Sequence, residues 1–444
     1  MTADFVVIGG GMAGVSIAAN LLGVGGAART SEAAGSVLLL EAEKALAHHT
    51  TGRSAAKFLE TYGAAQIRAL TRASRPLYDA GSADPDTPDL LTPGPEMIVA
   101  DTESASRLEA RLAEVPSLRR LTVDEAREIC PALSPSYLAG AAIEDGAADI
   151  DVLGLHQHYL RAARRHGLEV RSGTRVVAAE RTDDTWRIRI TSDGAGAAGA
   201  AGNGSARDGS APGGAGGNGS SGRGSSGDGA ARDGAARDGS ARDGSAGSGP
   251  GADRSGGDEV IEAGVVINAA GAWADRIASV FGAAPVGLAP LRRTIAIVNA
   301  DGVRRGWPIV ADMAETFYFR PEGDALLVSP TDETPSDPVD ARPEDLDVAL
   351  AIDRVNAATT LNIRSVRTAW AGLRTFAPDR LPVVGYAPEP PGFFWLAGQG
   401  GYGIQMAPAL ASTAASLVRG EPVPTEILAE GVHPDALTPN RFTT

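Results

Sequence analysis

The sequence contains a single cysteine, Cys130, among its 444 residues. One thiol cannot form an internal disulfide or build a metal site by itself, so a reducing compartment is favoured over secretion. Long hydrophobic runs are also missing, because glycine, serine, asparagine or a charge interrupts each candidate well short of the roughly 18 apolar residues of a spanning helix. Asp4 precedes the first apolar run and no basic leader stands before it, which disfavours a signal peptide. We therefore expect a cytoplasmic protein without a membrane span.

Blocks of basic residues are absent as well. The net charge is −15, and the arginines and lysines stand singly or in pairs. This pattern disfavours binding to nucleic acid or to an anionic membrane, and it favours a small-molecule partner. The sequence shows no Ser-His-Asp set and no paired acid/base motif. His156 and His158 lack a matching acidic ligand pattern, so no metal is predicted.

One long segment, residues 192–257, consists almost entirely of glycine, alanine, serine, asparagine, arginine and aspartate, with a repeated Ala-Arg-Asp-Gly. Such a composition cannot offset a chain entropy of roughly 1–2 kcal/mol per residue, so we expect disorder and no chemistry there. Residues 186–191 and 259–263 on either side alternate between apolar and polar. They are predicted to pair as a hairpin whose turn the segment enlarges.

The N-terminal region has the pattern of a β-α-β unit, with strands at 4–8 and 36–40 and a helix at 12–22. Further predicted elements are an amphipathic helix at 151–166, buried strands at 265–268 and 393–397, and a final helix at 404–418. The strand–glycine turn–helix order occurs at both ends of the chain.

The turn after the first strand reads Gly9-Gly10-Gly11-Met12-Ala13-Gly14 and opens the helix, which is the context that makes G-x-G-x-x-G specific for a dinucleotide. Gly9 would allow the tight turn, Gly11 the approach to the phosphates, and Gly14 close packing of helix on strand. Glu41 follows the second strand and is expected to accept hydrogen bonds from ribose hydroxyls. FAD and NAD both fit this fingerprint.

Four later segments resemble one family. They are His49-Thr-Thr-Gly-Arg-Ser-Ala-Ala56, Asn268-Ala-Ala-Gly-Ala-Trp273, Trp370-Ala-Gly-Leu-Arg-Thr-Phe376 with Pro378-Asp379, and Gly398-Gln-Gly-Gly-Tyr-Gly-Ile-Gln405. Together they resemble the D-amino-acid oxidase superfamily of FAD-dependent oxidoreductases, and within it the bacterial D-arginine dehydrogenases, over nearly the whole chain outside the insert.

The resemblance implies FAD as the cofactor and an α/β fold with two domains. A discontinuous Rossmann-type FAD-binding domain would comprise residues 1–90, 148–285 and 366–444, and a sheet-based substrate domain would comprise 91–147 and 286–365. Relatives that hold flavin covalently use a cysteine near the C-terminal Pro-Asp motif. Cys130 is far from that motif in the sequence, so non-covalent FAD is expected.

The resemblance also implies a set of cofactor contacts. In the family a second helix enters at Thr51 and touches the flavin, although these residues could instead cap a helix. The turn at Gly400 would bring the N-terminus of the final helix toward the flavin pyrimidine edge. The expected cofactor residues are Gly9, Gly11, Met12, Ala13, Gly14, Glu41, Thr51, Gly52, Arg53, Ser54, Val176, Gly271, Gly400, Gly403 and Gln405.

For the substrate, the resemblance assigns carboxylate binding to Arg293, Arg374 and Tyr318, since a planar arginine fork orients a carboxylate well. Each arginine could instead form a surface ion pair. The Gly401 carbonyl would accept from the substrate amino group, with Gln405 close by. Tyr62 and Trp307 would form walls of the pocket, although an aromatic residue before Pro308 is also compatible with simple packing.

Two further residues complete the expected site. Glu96 matches the residue that meets the guanidinium in D-arginine dehydrogenases, although it could cap a turn or face solvent. Lys57 stands where those enzymes have histidine, and it is expected near the flavin unless it faces solvent on the second helix.

The predicted function is oxidative deamination of D-amino acids, in particular D-arginine and D-lysine, by hydride transfer from Cα to flavin N5. The imino acid then hydrolyses to a 2-oxo acid and ammonia. A glycine- or sarcosine-type amine oxidase and a non-catalytic flavin sensor are the alternatives, and the electron acceptor (a quinone, a carrier or oxygen) stays open.

Overall fold

A computed structural model describes residues 1–25, 35–192 and 259–442. The expected disorder of 192–257 falls, apart from Ser192, outside the described residues. The described strands are β1 Thr2–Ile8, β2 Val37–Leu40, β3 Lys57–Phe58, β4 Leu91–Pro93, β5 Glu96–Ala100, β6 Arg119–Leu121, β7 Gly140–Glu144, β8 Ala148–Ile150, β9 Glu169–Arg171, β10 Thr174–Thr182, β11 Thr185–Ser192, β12 Glu259–Asn268, β13 Ala289–Asn299, β14 Ile309–Asp312, β15 Tyr318–Glu322, β16 Ala325–Ser329, β17 Thr334–Pro335, β18 Ser365–Phe376, β19 Val383–Tyr386 and β20 Phe393–Ala397. The described helices are α1 Met12–Leu21, α2 Ala65–Ser82, α3 Ala105–Glu114, α4 Val123–Ile129, α5 Val152–Arg165, α6 Ala274–Val280, α7 Asp345–Ala358, α8 Ala407–Arg419 and α9 Thr425–Ala429.

The first sheet has eight strands in the order β10-β11-β12-β1-β2-β9, with β20 pairing with β12 and β19 with β20. At its centre β1 lies parallel to both β2 and β12. All four residues of β2 are buried, as expected for a parallel strand covered on both faces. The predicted β-α-β unit and the α/β class are therefore confirmed.

The predicted hairpin across the insert is also confirmed. Strands β11 and β12 are antiparallel, with Trp186 opposite Ala263 and Ile190 opposite Glu259. The alternation along β11 explains the pairing, because Trp186, Ile188 and Ile190 are buried while the arginines between them are exposed.

The second sheet has nine strands in the order β17-β13-β16-β15-β14-β5-β7-β6, with β18 pairing with β13. The β13–β18 pairing is antiparallel and runs from Ala289 opposite Phe376 to Asn299 opposite Ser365. The sequence assigned residues from 366 onward to the FAD-binding domain, whereas β18 belongs to this second sheet. Its pairing with β13 places the Trp370–Phe376 motif there.

A small three-stranded sheet, β3-β8-β4, carries Lys57. The expected second helix at 51–54 is wrong, because Thr51–Arg53 form a single 3₁₀ turn and α2 begins only at Ala65. The chain between them is extended, since Lys57 and Phe58 pair with Asp149 and Ala148 of β8.

Most remaining predicted elements agree with the structure within a few residues, but the two strands predicted at 259–263 and 265–268 are the single strand β12. Helix α5 begins after Asp151, whose carboxylate accepts from the Gly154 amide at 2.8 Å. Helix α8 begins at Ala407, later than predicted, with a proline in its first turn. Cys130 is fully buried, as expected for a small core residue. Within residues 1–25, 35–192 and 259–442, no helix has the length and apolar character that a membrane span requires.

Candidate functional site

The glycine turn between β1 and α1 is shaped by close backbone approaches. Gly9 has a φ of +111°, and a Cβ there would overlap the Ala269 carbonyl oxygen. A Cβ at Gly14 would overlap the Gly9 carbonyl oxygen, so the helix can lie against the turn only with glycine at this position. Helix α1 begins without a side-chain cap on Gly11, while the Met12 amide donates to Thr51 Oγ1 at 3.0 Å. The helix N-terminus thus opens onto the cavity described next.

A first cavity lies at this turn, and its lining comes from segments far apart in the sequence. The turn, the 51–54 segment, the motif after β12, strand β18 and the Gly-rich loop before α8 all contribute. The predicted cofactor residues that line it are Gly11, Met12, Ala13, Thr51, Arg53, Ser54, Gly271, Gly400 and Gly403.

Six predicted cofactor residues do not line this cavity. Gly9 lies in the glycine turn, Gly14 in the first turn of helix α1 and Gly52 in the 3₁₀ turn at 51–53, while Val176 lies on β10 opposite Ile190. Gln405 lines a second cavity instead, and its amide donates to Thr71 Oγ1 at 3.0 Å.

The sixth, Glu41, is engaged with the backbone near the turn. Its carboxylate accepts from the Gly10 amide at 2.6 Å and from the Glu43 amide at 2.8 Å. Sequence reasoning missed a second support for this turn, His156, which is buried and whose Nε2 donates to the Gly10 carbonyl at 3.0 Å. The signal that could have identified His156 was its position beside Leu155 on the apolar face of the helix predicted at 151–166.

The second cavity adjoins the first and brings together the predicted substrate and catalytic residues except Trp307. Ser54, Ala55, Arg293, Arg374 and Gly401 line both cavities. The predicted residues that line the second cavity are Lys57, Tyr62, Glu96, Arg293, Tyr318, Arg374 and Gly401.

The two arginines occupy neighbouring positions on paired strands. Arg293 of β13 is opposite Gly372 of β18, and Arg374 is opposite Leu291, so the arginines are diagonal neighbours on one face. Because side chains two residues apart on a strand share a face, the sheet itself presents both cations to the junction of the cavities.

The electrostatic environments of the two arginines differ. Arg293 is buried, and its Nε donates to the Asp332 carbonyl at 2.9 Å. Burial and the charge of Arg374 lower the pKa of Arg293 to about 10, which leaves it protonated at neutral pH. Within the described residues no hydrogen bond or ion pair engages the Arg374 guanidinium, which packs so closely on Gly401 that a Cβ there would lie 2.8 Å from Nη1. The surface-ion-pair alternative for Arg374 is therefore wrong.

Glu96 is the first residue of β5, between Ile309 of β14 and Glu144 of β7. It is only 7% exposed, and among the described residues its carboxylate has no hydrogen-bond donor. Glu144 differs, because it accepts from the Glu60 amide at 2.7 Å and from the Thr61 hydroxyl. Burial, reinforced by the Glu144 charge, raises the pKa of Glu96 to about 8. Glu96 therefore neither caps a turn nor faces solvent.

The side chain of Lys57, on β3, is only 6% exposed. Its Nζ donates to the Gly94 carbonyl at 2.6 Å and lies 3.1 Å from Asp149 Oδ1. Burial lowers the pKa of Lys57, and the Asp149 carboxylate opposes that shift. The solvent-facing alternative on a second helix is thus wrong.

Tyr62 and Tyr318 contribute aromatic walls, and Tyr62 packs against Tyr402 with ring centroids 5.0 Å apart. Trp307 does not line the second cavity but packs in the core of the second sheet, consistent with simple packing. Sequence reasoning missed Glu315, which lines this cavity at a left-handed φ of +56°.

One group of possible metal ligands occurs in the described part of the chain, although the sequence predicted no metal. Glu43, His48 and His49 have ligand atoms within 4.8 Å of one another. Glu43 Oε1 already lies 3.4 Å from His49 Nε2 and 3.7 Å from Arg175 Nη2. Because these protein groups satisfy the carboxylate, we assign no ion to the group.

Known proteins resemble this chain in sequence. The family model described as DAO, FAD dependent oxidoreductase, matches residues 4–212 and 230–417. A curated relative, FAD-dependent oxidoreductase domain-containing protein 1 from Bos taurus, is 33% identical over 188 residues, which cover 37% of this chain and 38% of that protein. The match thus spans less than half the length of this relative.

Solved structures resemble the chain over almost its full length. Glycine oxidase from Geobacillus kaustophilus superposes with a TM-score of 0.69 at 20% identity, covering 95% of each chain. L-proline dehydrogenase from P. horikoshii gives a TM-score of 0.71 at 18% identity, covering 99% of this chain and 98% of that one. At such identities the likeness concerns the fold.

Proposed function

Because the chain belongs to the DAO family of FAD-dependent oxidoreductases, we propose that it binds FAD non-covalently in the first cavity and oxidises basic D-amino acids in the second. The division into an FAD-binding domain and a substrate domain is part of this proposal. The two large sheets support it, with β18 assigned to the substrate side.

The residues of the first cavity fit FAD. Backbone amides at the uncapped start of α1 suit a pyrophosphate, and at Gly11 an added Cβ would meet only the Thr51 hydroxyl, at 3.2 Å. Glu41 would exchange its contact with the Gly10 amide for ribose hydroxyls. Cys130 is buried in the core of the second sheet and does not line the cavity, which favours non-covalent binding.

Bound FAD would accept a hydride from the substrate Cα. The chain's own contribution is orientation, since Arg293 and Arg374 stand at the junction of the cavities and can hold the α-carboxylate between them. The Tyr318 hydroxyl would donate a further hydrogen bond to that carboxylate, and the Gly401 carbonyl would accept from a neutral amino group. The imino acid released in this way hydrolyses in water to a 2-oxo acid and ammonia.

The observation that carries the preference for a basic side chain is Glu96. A buried carboxylate without a hydrogen-bond donor is costly unless a ligand satisfies it. Glu96 lines the second cavity but not the first, so it lies away from the carboxylate-binding arginines at their junction. A guanidinium or ammonium group at the end of an amino-acid side chain would supply the missing donors and add to the positive charges of Lys57 and Arg111 that already act on Glu96.

The D configuration rests on the motif resemblance to D-arginine dehydrogenases. The main rival, a glycine- or sarcosine-type oxidase, shares the fold but gives Glu96 no role, because those substrates lack a side chain that could reach it. The arginine pair disfavours a flavin sensor without turnover, since such a protein has no need to bind a carboxylate.

Anaerobic bleaching of the flavin absorbance separates these functions. The panel comprises D-arginine, D-lysine, L-arginine, D-leucine, glycine and sarcosine. The proposal expects rapid bleaching by the two basic D-amino acids, and a Glu96→Leu variant with unchanged FAD content should lose that preference. Fastest bleaching by sarcosine or glycine would favour the amine oxidase, and no bleaching by any compound would favour the sensor.

A further inference from the structure

Glu333 lies between an arginine of the candidate site and an arginine on the surface. Its carboxylate accepts from Arg380 at 2.7 and 3.1 Å, and its Oε1 is 3.6 Å from Nη2 of Arg293. Glu333 lines neither cavity, whereas Arg293 lines both. The carboxylate is therefore shared unequally, with its hydrogen bonds on Arg380 and only a longer electrostatic contact on Arg293.

The arginine pair has few other counter-charges. The Asp332 carboxylate lies 4.0 Å from Arg293 Nε, but the Thr294 amide and hydroxyl donate to it at 2.6 and 3.0 Å. Arg374 has no ion pair with another described residue. Of the two carboxylates within 4.0 Å of Arg293, Glu333 is therefore the one that no backbone amide holds in place. Burial opposes its ionisation, but Arg380 and then Arg293 and Arg374 hold the pKa of Glu333 below its ordinary value, so it is anionic.

Arg380 is held in place independently of Glu333. Its guanidinium lies 3.8 Å from the centroid of the Phe376 ring, and its backbone adopts a left-handed φ of +62° that a non-glycine residue rarely occupies without support. The Phe376 ring in turn lies against Gly400 of the first cavity. Arg380 is therefore a fixed cation that draws Glu333 away from the arginine pair.

We propose that Glu333 is a positioning residue that competes with the substrate α-carboxylate for Arg293, and that Arg380 sets the strength of this competition by holding Glu333 back. The inference rests on the proposed function, because it assigns the α-carboxylate to Arg293 and Arg374. Without Arg380, the Glu333 carboxylate would close the 3.6 Å gap to hydrogen-bonding distance and screen the charge that the substrate needs.

Two ligands that differ in the carboxylate test this directly on the FAD-loaded protein. One is 5-guanidinopentanoate, which is arginine without its α-amino group and cannot be oxidised to an imine. The other is agmatine, which keeps the amine and the guanidinium but has no carboxylate. Calorimetry and perturbation of the flavin absorbance give their dissociation constants.

The two single variants are expected to change the affinity for 5-guanidinopentanoate in opposite directions. Glu333→Gln should tighten 5-guanidinopentanoate binding about two- to fivefold, the range for a partly exposed ion pair, and Arg380→Gln should weaken it by a similar factor. Agmatine binding should change in neither variant. In the double variant the Arg380 substitution should have no further effect, because Arg380 acts only through Glu333. Glu344→Gln is the matched control, since Glu344 bonds Arg292, the neighbour of Arg293 outside both cavities.

Three results would overturn the inference. Unchanged or weaker binding of 5-guanidinopentanoate in Glu333→Gln means that Glu333 does not compete. An Arg380 effect of equal size with and without Glu333 means that Arg380 acts by its own charge. A parallel change in agmatine binding means a general structural effect. If basic D-amino acids are oxidised normally in these cases, only this inference fails. A holoenzyme that oxidises no amino acid and binds neither ligand would overturn the proposed function as well.

Discussion

Selection of a cationic side chain by Glu96 should depend steeply on pH. A carboxyl group is neutral below its pKa and anionic above it, and burial raises the pKa of Glu96 to about 8. At neutral pH most of the free protein therefore carries a neutral Glu96. A guanidinium binds the anionic form, so its affinity should be lost as the pH falls through about 8.

The size of the effect follows from two opposing contributions. A hydrogen bond between charged groups contributes about 1.5–3 kcal/mol, and ionising a group of pKa about 8 at pH 7 costs about 1.4 kcal/mol. The net preference for a cation at pH 7 is then about 0–1.6 kcal/mol, or at most about fifteenfold. Well above pH 8 the full contribution should appear as about a tenfold to hundredfold preference.

The assay compares D-arginine with D-citrulline, which has the same length but an uncharged end. The ratio of their kcat/KM values cancels effects of pH on the amino group and on the flavin. It should rise by at most about tenfold per pH unit below pH 8, by about tenfold to a hundredfold in all, and then level off. Glu96→Gln should abolish the slope. Glu144→Gln, which removes a carboxylate that raises the pKa of Glu96, should move the break to lower pH. A ratio that is constant from pH 6 to 9, or a slope that survives in Glu96→Gln, would refute the reasoning.

Three further predictions concern other parts of the molecule. Arg374→Gln should raise KM about tenfold to a hundredfold for basic and apolar amino acids alike, with FAD content unchanged. The reason is that it removes a charged hydrogen bond to the α-carboxylate that all these substrates share. An effect confined to basic substrates would contradict the assignment of Arg374 to that carboxylate. Lys57→Met should change the rate at which oxygen reoxidises the reduced enzyme, since it removes a cation from the cavity that adjoins the proposed flavin site. Rapid mixing with oxygenated buffer checks this, and equal rates in wild type, Lys57→Met and Lys57→His would exclude a role. Replacing residues 194–256 by Asn-Gly should leave FAD occupancy and turnover unchanged. The reason is that β11 and β12 pair directly beside the insert, and loop-closure entropy varies slowly with length. A severalfold loss of FAD occupancy or turnover would show that the insert has a function.

The parts of the fold that the sequence predicted best are those whose signals are local and repeated. The β-α-β unit combines a buried strand, a glycine turn and a helix within 40 residues, so periodicity and turn chemistry agree. The pairing of β11 with β12 could be predicted across the insert because both strands keep a two-residue alternation. In both cases most of the apolar residues of the sequence pattern are residues that the structure buries.

The segment after Thr51 could not be predicted in the same way. A glycine motif followed by small residues is compatible with the start of a helix, but Lys57 and Phe58 form a two-residue strand with no period of its own. Its partner, β8, lies about 90 residues further along the chain. The burial of Lys57 depends on that pairing and on Asp149, so tertiary context overrode the local signal.

Glu333 shows why motifs can reveal the substrate-binding residues of a site but not the positioning residues around them. The arginine pair could be found because each arginine stands in a motif or strand that resembles a family position. Glu333 lies in a segment with several acidic residues, and nothing in its neighbours distinguishes it from a solvated surface acid. Its importance comes from a distance of 3.6 Å to Arg293 and from a competing cation 47 residues away in the sequence. Side-chain packing decides how the Glu333 carboxylate is shared between Arg380 and Arg293. Variants that shift this balance should therefore change the affinity for the substrate carboxylate, although they alter no residue that touches the substrate.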